Sequence, residues 1–159
     1  MERAAGVAWQ QEIKEARMPW QTEHHAEAGV IHTTYTGQVP PQELGAAVAA
    51  AVGLAARHGT HLFLTDLRQL EGGHSVFDLY ALAETLHALP IPLHAREALL
   101  LPTSRRAAGD ADFWETVCRN RGYEVRGFAD PATALAWLRE APRVPPPRVT
   151  PVASALPSG

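Results

Sequence analysis

Apolar and polar positions change their period several times along this chain, and each change marks an element. "WQTEHH" and "GVIHTTYTG" alternate, with Ile31, Thr33 and Tyr35 on one side at period two. They read as two strands joined by a tight turn near Glu27–Gly29. Pro40-Pro41 then opens a helix from about Gln42 to His58, on which Leu44, Val48, Val52 and Ala55 recur at four, four and three, and Gly59 stops it. Leu62–Thr65 is a continuous apolar strand of the kind buried on both faces. A second helix is expected from about Val76 to Leu89 on the stripe Leu79, Leu82, Ala83 and Leu86, ended by Pro90 and Pro92. "REALLLP", Arg96 to Pro102, is the next strand. A third helix, from about Asp110 to Arg121, carries Phe113, Trp114, Val117 and Cys118, and Gly122 caps it. "YEVRGF", Tyr123 to Phe128, is the last strand. Asp130 as N-cap and Pro131 in the first turn start a final helix bearing Ala134, Leu135 and Leu138.

This order predicts an α/β fold: an N-terminal β-hairpin, then β–α repeats, in a mixed and mostly parallel sheet of about five strands with right-handed crossovers. The domain spans roughly residues 19–141. Ahead of it, residues 1–18 read as a loose amphipathic helix with Trp9, Ile13 and Ala16 at helical spacing. Behind it, residues 142–159 hold six prolines in 18 positions, and proline removes backbone donors and favours extended chain, so a disordered tail is expected.

Composition narrows the class. Hydrophobic residues make up 46% of the 159 and charged residues 19%, as in a soluble globular chain. The single cysteine, Cys118, excludes an internal disulfide and a cysteine zinc site, which fits a reducing cytoplasm. No signal peptide or membrane-length apolar run is legible, so a cytoplasmic location is expected. A net charge of −3 gives no global reason to expect nucleic acid.

Three stretches together resemble the STAS superfamily, the sulfate-transporter and anti-sigma-factor-antagonist fold with its STAS/SEC14-type domains, and within it the SpoIIAA-like group. They are "YTGQVPPQEL", "LFLTDLR" and "VRGFADPATALAWL", the last with an aromatic residue, an acidic cap, and then Ala134, Ala136, Trp137 and Leu138. The likeness covers about residues 20–140. It implies a small sheet with helices mainly on one side and a non-enzymatic role as an interaction module. The fold's relatives include lipid-binding domains. One departure stands out: where the anti-sigma antagonists place a phosphorylated serine directly after an aspartate, this chain reads Asp66-Leu67-Arg68. The phosphoswitch is therefore not inherited by motif.

"TDLRQLEGGHS" holds the polar candidates. Asp66 and Arg68 are read at the carboxyl end of a parallel strand, where open α/β sheets bind ligands. His74 and Ser75 begin the following helix. "S-V-F-D" is close to a capping box, and a helix N-terminus also favours a phosphate, so Ser75 is read as a cap first and a phosphoacceptor second. Gly72-Gly73 reads as a turn, since no nucleotide-binding glycine motif surrounds it. A triad of Ser75, His74 and Asp66 fails because adjacent Ser and His diverge at a helix start, and Cys118 on an apolar stripe reads as core. Arg105, Arg106, Arg119 and Arg121, interleaved with acids, read as a solvated face. His24, His25 and His32 on paired strands, with Glu23 and Glu27 near, suggest a metal, but at most one of His24 and His25 can join His32 and no third ligand is fixed. No catalytic residue, metal or cofactor is therefore expected.

The leading expectation is a non-enzymatic STAS-like regulatory module that binds a protein partner or a second copy of itself through the loop Asp66–Ser75, with Asp66, Arg68, His74 and Ser75, and through the face of the helix it starts. The alternative is a carrier or sensor of an apolar, lipid-like ligand held between the sheet and the small-residue helix (Ala46, Ala47, Ala49, Ala50, Gly53). Neither nucleic acid nor a membrane span is expected.

Overall fold

A computed structural model of the chain describes residues 18–92 and 94–140. The helix read around Trp9–Ala16 and the proline-rich tail lie outside the described residues. Within them the order is β1 (Trp20–His25), β2 (Val30–Gln38), α1 (Pro41–His58), β3 (Leu62–Gly72), α2 (Val76–Thr85), a 3-10 turn (Leu86–Ala88), β4 (Arg96–Leu100), α3 (Arg105–Arg119), β5 (Glu124–Phe128) and α4 (Pro131–Arg139). The five strands form one sheet in the order β1-β2-β3-β4-β5, with β1 antiparallel to β2 and the rest parallel. The α/β fold, the N-terminal hairpin and the mixed sheet are as the sequence predicts.

Side chains alternate across this sheet, so β3, β4 and β5 each contribute to two different cores. Tyr35, Leu67, Leu99 and Val125 face α1, α2 and α3, where they pack with Leu44, Ala47, Leu79, Ala83, Ala107, Ala111 and Val117. Ile31 belongs to the same side and meets Ala51 and Ala55 of α1. On the far side Leu64, Ala98, Leu100 and Phe128 pack under Ala134 and Leu138 of α4. Three helices thus cover one face and α4 covers only the β3–β5 part of the other. Arg96, buried on that far face, fixes α4: its guanidinium donates to the carbonyls of Trp137 (2.9 Å) and Glu140 (3.1 Å) and to Glu124 (2.6 Å). The last carbonyls of a helix have no partner within it, and Arg96 supplies one.

Three boundaries differ from the sequence reading: α2 ends at Thr85 and passes into the 3-10 turn short of Leu89, and the other two lie at β3 and α3. β3 does not stop at Thr65 but runs to Gly72, with a bulge where Thr34 and Thr36 of β2 oppose Asp66 and Gln69. Past Asp66 it pairs with β2 alone, since β4 ends opposite Asp66 at Leu100. The bulge breaks the two-residue alternation, so the residues past Thr65 carry no strand period. α3 begins at Arg105 rather than near Asp110, because Ser104 accepts from the Ala107 N–H and the small run Ala107-Ala108-Gly109 hid the first turn. Among the described residues, no helix is long and apolar enough to cross a membrane.

Candidate functional site

The four residues read as one surface are divided by the fold. Asp66 and Arg68 lie inside β3 on the far face of the sheet, not at its end. Arg68 grips the Asp66 carboxylate in a fork, Nε to Oδ1 at 3.0 Å and the terminal nitrogen to Oδ2 at 2.8 Å, and its backbone N–H adds a third bond. Burial opposes the Asp66 charge, yet these bonds and the neighbouring guanidinium outweigh it and hold the carboxyl below its ordinary value. His74 is not at the surface. Its ring is buried, with Nδ1 3.0 Å from the Val39 carbonyl and Nε2 3.4 Å from Asp110.

The turn before it explains that inward position. Gly73 has φ +102°, and a Cβ there would stand 2.5 Å from the Val39 backbone nitrogen. Only glycine permits this approach, and it tucks the chain against β2 so that the next side chain enters the core. Ser75 comes back out. Its hydroxyl accepts from the Asp78 N–H (3.2 Å) while Asp78 accepts from the Ser75 N–H (2.8 Å), a complete capping box.

The helix this cap starts presents apolar residues to solvent. Phe77 is 82% exposed, Tyr80 51% and Val76 42%, three of the five exposed large hydrophobic side chains among the described residues. Leu79 and Ala83 take the buried side of α2; Phe77 points away from it, and Val76 and Tyr80 flank it with about half their surface exposed. The Arg121 guanidinium lies over the Tyr80 ring, 5.0 Å from its centroid, and pairs with Glu84. Hydrophobic periodicity located the buried stripe but gave no weight to the aromatics off it, which is where the signal lay.

A second feature lies at the heart of the helix-covered face. Glu97 of β4 points inward among Tyr35, Val48, Thr65 and Trp114 and borders two adjoining cavities, of about 80 Å³ and 60 Å³. Thr65 donates to one carboxylate oxygen (2.7 Å) and the Trp114 indole to the other (2.9 Å). Burial raises the Glu97 pKa above the usual carboxylate range, against the opposing pull of those two bonds. Tyr35 is pushed up as well, chiefly by burial and then by Glu97. An acid inside the apolar run "REALLLP" was the available sequence signal. Cys118 also lines the larger cavity, and burial raises its thiol pKa, in keeping with a core residue and not a nucleophile. Of the small residues of α1, Ala46, Ala49 and Gly53 face outward and Ala47 closes on the sheet, while Ala51, with Val48 and Val52, lines the larger cavity.

The histidines sort by face. His24 points to the helix side and stacks on His58 with ring centroids 3.9 Å apart. His25 points to the far side, where its Nε2 lies 3.4 Å from His32 Nδ1 and 3.0 Å from Glu23. The opposite orientation of adjacent residues is as the sequence predicts. Glu23 faces His32 directly across the ladder and supplies the third group that the sequence left unfixed.

Neither a family model, nor a curated protein, nor a solved structure matches this chain.

Proposed function

We propose that this chain is a non-enzymatic interaction module of STAS-like type, and that it docks a partner protein on the outward face of α2. The carrying observation is the trio Val76, Phe77 and Tyr80, set immediately after a rigid cap. Exposed aromatics grouped on a firm element are what protein interfaces use as anchors, and isolated exposed apolar residues are not. The partner would present an apolar pocket or groove to receive the Phe77 ring. Ser75 stands at the edge of this surface, so a phosphate there would add charge beside the anchor. The resemblance of "LFLTDLR" and "VRGFADPATALAWL" to STAS domains supports the same reading.

The test compares the full chain with its Phe77→Glu, Tyr80→Glu variant, each purified from native cells with quantified co-purifying proteins and with sedimentation of the isolated chain. Both positions are exposed, so the melting curve should stay within about 0.5 kcal/mol of the parent. A specific partner, or self-association, that the variant loses supports the reading. An identical set of bound proteins and the same mass for both chains rejects it.

A second reading, a small-ligand binder, draws on the paired cavities around Glu97. Their size narrows the ligand class. Drug-sized ligands occupy about 300–1,000 Å³, so these cavities suit a ligand of a few heavy atoms that donates a hydrogen bond to Glu97, not an acyl chain. Native mass spectrometry of the gently purified chain distinguishes a bound small molecule from the bare protein.

A further inference from the structure

The geometry points to a transition-metal site on the far face of the hairpin, in which Glu23, His25 and His32 bind one divalent ion, with zinc as the expected metal. The three candidate ligand atoms all lie within 4.8 Å of one another. Two edges of that triangle are 3.0 Å (Glu23–His25) and 3.4 Å (His25–His32). Zinc holds nitrogen and oxygen ligands at about 2.0–2.2 Å in a tetrahedron, which separates neighbouring ligand atoms by about 3.3–3.5 Å. These two edges lie within about 0.5 Å of that spacing, and the third is no longer than 4.8 Å.

The scaffold is suited to hold it. Glu23 and His32 are direct cross-strand partners, and His25 is the next residue on the same face of β1. Ligands carried on paired strands keep their Cα positions through the ladder, so ordering them costs less than ordering ligands on loops. The remaining nitrogen of His32, Nε2, faces the Thr34 hydroxyl at 3.5 Å. A ligand histidine is usually oriented through its second nitrogen in this way. The nearest cation on β3, Arg68, is already forked onto Asp66. Two imidazoles and one carboxylate suit zinc, copper or nickel and not calcium or magnesium, which prefer all-oxygen sets. Glu23 and His25 are exposed and His32 half-buried, so the fourth position opens to solvent.

The test is a titration of the tag-free, metal-stripped full chain with zinc, followed by calorimetry, and with cobalt, followed by its visible absorption. The parent chain should bind one equivalent, and cobalt should give the strong bands of a tetrahedral site. His25→Ala and His32→Ala should each weaken binding at least tenfold, and Glu23→Gln should weaken it less. His24→Ala, one residue away on the opposite face, should bind as the parent does. Melting of each variant without metal confirms that the hairpin is folded. Binding no tighter in the parent than in His32→Ala, or an equal loss in His24→Ala, overturns the site.

Discussion

On the helix-covered face of the sheet, Glu97 is boxed in by Thr65, Trp114 and two small cavities. On the far face, Glu23, His25 and His32 stand beside one another with little over them, and Asp66 is clasped by a half-exposed arginine. Both faces gather acids, but their surroundings give those acids opposite characters. Glu97 has lost water and gained only two neutral donors, so its pKa stands above the ordinary carboxylate value. Asp66 has gained a guanidinium fork and keeps its charge. Placement of a carboxylate therefore says little about its chemistry until its partners are known.

The comparison breaks most visibly at Glu97. Glu97→Ala leaves the Trp114 N–H and the Thr65 hydroxyl without their acceptor, and denaturant unfolding should show a loss of about 1–3 kcal/mol. A subtler change sharpens it. Because the folded-state pKa of Glu97 is raised, its contribution to stability is full below the ordinary carboxylate value and fades as the pH climbs through the folded one. Glu97→Gln mimics the neutral acid: its oxygen accepts from Trp114 and its amide donates to Thr65. The variant should match the parent near pH 4 and exceed it at pH 8 in thermal melts. A parent that stays equal to the variant at both pH values would show that Glu97 ionises freely. The smallest effect belongs to the far face. Arg68→Ala removes an ion pair whose cation is half-exposed, and should cost about 0–1 kcal/mol, shrinking further in high salt.

The succession of strands and helices along the chain, the hairpin, the caps at Ser75 and Asp130 and most core positions were legible, because each depends on local chemistry: two- or four-residue periodicity, a hydroxyl or carboxylate before a helix, a glycine after one. What escaped depended on which face a residue takes. β3 continues through a bulge, so Asp66 moved from a strand's end to its middle, and the close approach of Gly73 to Val39 turned His74 from surface into core. Glu97 was passed over because one charge does not disturb an apolar run. The face of the helix after Ser75 was legible as a surface, but Phe77 and Tyr80 were not singled out on it because a stripe analysis looks inward. The role of Glu23 needed the register Glu23↔His32, which no single strand contains.

The order of the strands has a consequence for how the chain reaches this structure. Each strand lies beside its immediate predecessor, and paired residues of the parallel strands are roughly thirty positions apart, so closing each new pairing needs a loop of only moderate length. A nascent chain can add one strand and one helix at a time onto the hairpin, without waiting for a distant segment to be inserted between strands already paired. Only α4, which crosses to the other side, must come after β5, and Arg96 waits in β4 to receive it. Assembly and synthesis can then run in the same direction.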